Sequence, residues 1–452
     1  MNVLNFEQSL HNLLLNHIDG KYEIDKYLEL LNYENSSILN YILSHAYYSI
    51  GDLANACKYR EIAINLNTNY DFEADYANIT AYIYMMFCTI TTLKNPFIDD
   101  EIENILGENP SEEDFLNAAS AYRKINDISN AVRITNMGQN KFPESVSLKY
   151  DLASNLLYTR NLDSAWEYNE MRFDAVRYKL PQYVNKPKFS LQKPSAKVYI
   201  YPVTKIGDTI FFTRYLFKLK NDYPNLKLFV NPDNNLKQLF EENGIRTYGK
   251  PDKSMIDYQI SFEGLPYLYK DNTSRILSEG YLKANQKKSE QYKEMYFSNP
   301  KLKVGIVWRT SVPGDKRNIP IELFKELFKI DGIQFYSLER DITMQEEMVI
   351  MANFIPNLGI KLNDFSDTAA IIENLDIVIG CDTSVTNLAG AMGKKTLILL
   401  PHDADWRWGL FEQKSEWYES AELFRRKRND DYKEVLDRVK KYLENALPSS
   451  SN

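Results

Sequence analysis

Apolar and polar positions change period along this 452-residue chain. Over residues 1–175 the apolar side chains recur at the three- and four-residue intervals of helices that bury one face. Within that region the pattern repeats. LSHAYYSIGDLANACKYREIAINLNTN, residues 43–69, reads as two helices around Gly51, with Ala46, Ala56 and Ala63 keeping the contact faces small and tyrosines filling the gaps. AASAYRKINDISNAVRITNMGQNKFP has the same spacing: Ala121 and Ala131 stand ten apart, as Ala46 and Ala56 do, Gly138 takes the place of Ala63, and Pro143 closes the unit. LASNLLYTRNLDSAWEYNEMRF offers a third unit, with Ala165 ten residues after Asn155. Residues 72–105 are helical but degenerate.

A proline- and lysine-rich stretch at 176–196 has little periodicity and reads as a linker or docking segment. Beyond it, short apolar runs alternate with helical patterns. KVYIYPV and KLFV predict strands, Thr209–Lys220 a helix between them, NNLKQLFEENG a helix ended by glycine, and YQISFEGLPYL a short strand. A second set runs through KLKVGIVW, IELFKELFKI, IQFYSLE, DTAAIIENL, DIVIGC, SVTNLAGAMG and KTLILLP. Continuous apolar strands separated by helices belong to parallel sheets covered on both faces. The expectation is therefore an all-α helical-repeat domain over 1–175, followed by two Rossmann-like α/β domains at 197–298 and 299–448.

Composition narrows the chemistry. A formal net charge of −8 gives no basic balance that would favour nucleic acid. The first twenty residues lack a basic segment followed by an apolar run, and no stretch is long and apolar enough for a transmembrane helix, so the expectation is a cytoplasmic protein. Three widely spaced cysteines suggest neither a disulfide framework nor a zinc site. Three of the four histidines fall in the first tenth of the chain, leaving only His402 for the α/β region; a multi-histidine metal site there is excluded, and a catalytic triad would have to use that one imidazole.

Ligands of open α/β sheets bind beyond the carboxyl ends of the strands, and three segments fall there. In DIVIGCDTSVTNLAGAMGKK a strand at 376–380 leads to a helix beginning near Thr383, whose free N–H groups would suit a diphosphate, with hydroxyls from Thr383, Ser384 and Thr386; Asp382 reads equally as an ordinary N-cap. Lys316 and Arg317 follow another strand end, where they would neutralise phosphate or form a solvated basic loop. Trp406, Trp408 and Trp417 cluster in a polar stretch, to stack on a base or sugar or to pack a domain seam.

Taken together, the 43–69 unit resembles a tetratricopeptide repeat. The segments KIGDTIFFTRYL, DTAAIIENLDIVIGCDTSVTNLAGAMGK, LPHDADWRW and SEWYESAELFRR, preceded by LDSAWEYNEMRF, resemble tetratricopeptide-repeat proteins with a C-terminal glycosyltransferase related to the bacterial heptosyltransferases. The resemblance covers roughly residues 40–70 and 115–447. It implies a GT-B fold and inverting transfer without a metal or other cofactor, from a nucleotide-sugar co-substrate held by the C-terminal domain. Asp208, in the Gly-Asp turn, would be the general base for the acceptor hydroxyl; apart from that resemblance it reads as the N-cap of the helix that follows. Lys316 or Arg317 would neutralise the leaving phosphates, while Asp382, Thr383 and Ser384 would hold the sugar-diphosphate end; Trp406 is the stacking candidate at the donor. The repeats would recruit the acceptor, a protein, in their concave groove. Asn387 stands where relatives carry histidine, and Thr204-Lys205 replaces their small lead-in to the Gly-Asp turn. Two rival readings are an adaptor that binds without turnover and a nucleotide-sugar epimerase, for which no carboxylates can be placed around the donor sugar.

Overall fold

The computed structural model describes residues 109–174, 186–269, 278–427 and 431–447, with Ile24–Leu31 and a few isolated positions before residue 63. The repeat expected at 43–69 lies almost wholly outside the described residues, as do 72–105 and 175–185. The chain divides into two compact units. One runs to Asn161 and includes Leu410–Glu412; the other comprises Leu162–Gly409 and Gln413–Asn452.

In the first unit, α1 (Glu112–Lys124), α2 (Ile128–Lys141) and α3 (Val146–Tyr158) each begin at a side-chain cap, from Ser111, Asp127 and Ser145 respectively. These caps satisfy N–H groups that a helix start leaves unpaired. Asn126 turns the chain between α1 and α2 at φ 63°. The helices pack through Phe115, Ala118, Ala119, Tyr122, Ala131, Ile134 and Leu148. At Gly138 a Cβ would stand 2.9 Å from Cβ of Phe115, so α1 and α2 approach too closely there for any side chain. A polar network crosses all three helices. Arg123 forks onto Asp151 at 2.7 and 2.8 Å and reaches Asn155 Oδ1 at 2.9 Å, while Asn155 Nδ2 donates to Thr135 Oγ1 at 3.1 Å.

The boundary expected at residue 175 falls instead at 161. The helix α4 (Leu162–Asn169), read in sequence as part of a third repeat, belongs to the α/β unit. Its Trp166 packs edge-on to Phe212 and Trp406, and Arg172, just beyond, donates to Ser261 Oγ at 2.5 Å.

The α/β unit contains two wholly parallel sheets. The first joins β1 (Lys197–Tyr201), β2 (Lys227–Val230) and β3 (Tyr258–Ser261) in the order β2-β1-β3. The second joins β4 (Leu302–Val307), β5 (Ile333–Ser337), β6 (Ile377–Cys381), β7 (Thr396–Leu400) and β8 (Ala421–Arg425) in the order β5-β4-β6-β7-β8. Every residue of β6 and β7 is buried, as the unbroken apolar runs predict for strands covered on both faces. The helices that matter for the site are α5 (Ile206–Asp222), which follows β1, and α6 (Ser384–Ala391), which follows β6. The described part of the linker docks along β3: Phe189 N donates to Gln259 O at 2.9 Å, Gln259 N to Pro187 O at 3.0 Å, and the Phe189 ring is buried.

Candidate functional site

In each half of this unit a buried glutamate pins the loop leaving the first strand of the sheet. After β1, Glu263 Oε1 accepts from Val203 N at 3.1 Å, Thr204 N at 2.9 Å and Thr204 Oγ1 at 2.6 Å. After β4, Glu339 Oε1 accepts from Trp308 N and Arg309 N, both at 2.9 Å. Burial pushes the Glu339 carboxyl up to about 7, against the pull of these two N–H groups and of Arg309. Thr204-Lys205, noted as a departure in sequence, is thus a tethered loop: its threonine is the residue Glu263 holds.

The helix after that loop starts earlier than its periodicity suggested. It begins at Ile206, not Thr209, with extended Lys205 at the N-cap position. Asp208 is therefore not the cap but lies in the first turn, where its Oδ2 accepts from Lys205 N at 3.3 Å. A lysine side chain offers no acceptor to the first-turn amides, so the aspartate supplies the anionic partner that a helix start favours. Its other oxygen looks across to the second half. Arg407 Nη1 donates to Asp208 Oδ1 at 2.6 Å, and Arg407 Nε to Asp405 Oδ1 at 2.8 Å.

The second half brings the other candidates to the same place. Thr383, not Asp382, is the N-cap of α6; its N–H donates to Thr386 Oγ1 at 3.0 Å. A Cβ built on Gly207 would lie 3.5 Å from Ser384 Cα, so the amino ends of α5 and α6 meet. Asp382 is buried, and burial raises its pKa while Arg407 and Arg317 oppose that rise. Arg317 Nη1 stands 3.7 Å from the Asp382 carboxylate and donates to its main-chain oxygen at 3.0 Å. The same guanidinium forks onto Asp315 at 3.0 and 2.7 Å, and that bond holds the Asp315 carboxyl down at about 2. Lys316 is turned to Asp403, reaching its carboxylate at 2.5 Å and its carbonyl at 2.7 Å. Both loop cations therefore carry carboxylate partners. Asn387 is satisfied internally: Nδ2 donates to Thr383 O at 2.8 Å and Asp382 Oδ1 at 3.3 Å, and Oδ1 accepts from Tyr418 Oη at 3.0 Å.

Neither a known family model nor a curated protein matches the chain. Solved structures do. A glycosyl transferase family 9 protein from Veillonella parvula is 13% identical with a TM-score of 0.40, covering 56% of this chain and 90% of its own. The ADP-heptose LPS heptosyltransferase II of E. coli is 12% identical with a TM-score of 0.42, covering 55% and 98%. A mutant O-GlcNAc transferase from Thermobaculum terrenum is 11% identical with a TM-score of 0.28, covering 98% and 94%. At such identities and TM-scores the likeness carries no argument about chemistry, which must be read from the chain's own residues.

Those residues include two arginines that sequence reasoning passed over. Arg407 sits between two tryptophans of the WRW run, and its guanidinium also lies 5.5 Å from the centre of the Phe211 ring. Arg214, on α5, is wholly buried; Nη1 donates to Trp417 O at 2.6 Å and Nε to Phe211 O at 2.9 Å, with the rings of Phe211 and Tyr418 against it. The only signal available was proximity to the aromatic cluster. Trp406 meets Trp166, Phe211 and Trp417 edge-on at 5.6, 5.8 and 5.7 Å, and Trp408 and Trp417 are buried. The tryptophans pack the seam between the two halves. Among the described residues no three of His, Cys, Asp or Glu could hold a metal ion, and no helix is long and apolar enough to cross a membrane.

Proposed function

We propose that the chain is an inverting, metal-independent glycosyltransferase of GT-B architecture, moving a sugar from a nucleotide-sugar donor to a protein acceptor engaged by the helical repeats. One observation carries the reading: the sole carboxylate at the amino end of α5, Asp208, stands where that end meets the amino end of α6, at the carboxyl ends of both sheets. In the reaction Asp208 takes the proton of the acceptor hydroxyl as its oxygen bonds to the anomeric carbon. The bond from that carbon to the phosphate breaks, and the diphosphate leaves with the electron pair. Lys316 and Arg317 supply the positive charge, at the cost of their present partners Asp403 and Asp315. Ser384 offers its amide, and Thr383 and Ser384 their hydroxyls, to the diphosphate, and buried Asp382 acts by holding Arg317. Trp406 faces the donor with one edge of a ring otherwise used in packing.

The rival reading, a repeat adaptor with a degenerate transferase domain, draws on the pairing of every charged candidate with a neighbour and on Asn387 replacing histidine. Labelled nucleotide sugars incubated with the chain and a cell extract separate the two. Transfer that falls two to four decades in Asp208→Asn, the scale of a lost general base, and survives EDTA supports the enzyme. Full activity in a folded Asp208→Asn protein removes Asp208 from the chemistry, and metal-reversible inhibition by EDTA removes metal independence.

A further inference from the structure

Arg407 is placed to couple donor binding to the release of the base. Its guanidinium spends Nη1 on Asp208 and Nε on Asp405, and Nη2 forms no hydrogen bond to a protein acceptor among the described residues. Asp382 is a third carboxylate close enough to act on it electrostatically. Asp208 in turn has both oxygens occupied, one by Arg407 and one by the Lys205 amide. Each oxygen keeps a second lone pair that a hydroxyl can reach, but Oδ1 stays shared with the guanidinium until the guanidinium moves off. The group best able to draw it off is a more highly charged anion that accepts two parallel N–H bonds, as a diphosphate does.

We propose that Arg407 is a donor-binding residue that trades Asp208 for the donor's diphosphate, so that the base loses its ion pair when the donor is in place. The inference rests on the transferase reading and adds to it an order of events. Donor phosphate and Asp208 compete for one guanidinium, and an acceptor arriving first meets a carboxylate still paired with Arg407. It also corrects a natural expectation about Asp208: a residue acting on the acceptor alone would leave donor affinity untouched, whereas a competitor for Arg407 weakens it.

Calorimetry with ADP, UDP and GDP, each titrated into the full chain, reads the competition without requiring an acceptor. Asp208→Asn should tighten binding of the preferred nucleoside diphosphate about tenfold, the scale of one charge-assisted hydrogen bond no longer surrendered. Arg407→Gln should weaken it by about tenfold or more on the same scale. Adding Asp208→Asn to Arg407→Gln should then change little, because the contested group is gone. Affinity unchanged or weakened in Asp208→Asn overturns the proposal. So does an undiminished gain in the Arg407→Gln background, which would mean simple repulsion between carboxylate and phosphate. If Arg407→Gln fails to fold, Arg407→Lys, which keeps charge but not the fork, takes its place in the cycle, and unchanged or weakened affinity in Asp208→Asn still overturns the proposal. Failure of all three nucleotides to bind removes the transferase reading itself. Binding and transfer with no coupling removes only the exchange at Arg407.

Discussion

Replacing Glu339 with glutamine should stabilise the α/β unit at alkaline pH, although it removes a charge next to Arg309. The glutamate is only 8% exposed, and burial raises its carboxyl from the ordinary 4.5 to about 7. A carboxyl with a raised folded pKa binds its proton more tightly in the folded than in the unfolded chain. Its stabilising contribution is complete below about 4.5 and is lost as pH rises through about 7. At about 1.4 kcal/mol per pH unit, that interval corresponds to about 3 kcal/mol. Glutamine keeps an oxygen for the Trp308 and Arg309 amides and never ionises, so it escapes the loss. All five tryptophans, at 166, 308, 406, 408 and 417, lie in the α/β unit, so urea unfolding followed by tryptophan fluorescence reports that unit alone. Wild type and Glu339→Gln should unfold alike at pH 4. The gap should open between pH 5 and 7 and level off above pH 8 with the variant ahead by about 3 kcal/mol, or about 5–10 °C in Tm. No gap at pH 8, or a less stable variant, would show that two amides and Arg309 hold Glu339 as a stable anion, and that burial does not govern its charge.

Arg214→Ala should lower the stability of the same unit by about 3–5 kcal/mol, since it opens a cavity among Phe211, Trp417 and Tyr418 and removes the donor to the buried Trp417 carbonyl; an unchanged urea midpoint would refute this. Gly359→Ala should also destabilise, by about 1–3 kcal/mol or more, because the new Cβ would fall 1.7 Å from the Glu339 carbonyl oxygen, and backbone cannot rotate away as a side chain can. Gly249→Ala, where nothing lies within 4 Å, is the matched control and should stay within about 0.5 kcal/mol of wild type. Equal effects at both glycines would remove the packing argument.

The alternation of apolar strands and helices was legible along the chain because a strand buried on both faces must be apolar throughout, and that property is written in consecutive residues. β4, β6 and β7 appear within a residue or two of their expected places, and α6 begins at Ser384, one residue past its expected start near Thr383. Position at a strand end, a local property, also singled out Asp208, Arg317, Asp382 and Ser384. Local pattern misled where a helix start depends on distant groups. Ile206 opens α5 because Glu263 fixes Thr204 from 59 residues away. It misled again at the domain boundary, since Trp166 looks like a repeat residue until Phe212 and Trp406 are found beside it. What only the tertiary structure decided is the pairing of charges. Arg407 reaches Asp208 across 199 residues and Arg214 reaches Trp417 across 203. Sequence places a charged residue on a polar face by default, because solvation is the cheapest fate for a charge. Folding gave these two arginines fixed partners between the two halves, where Arg214 is wholly buried and Arg407 nearly so.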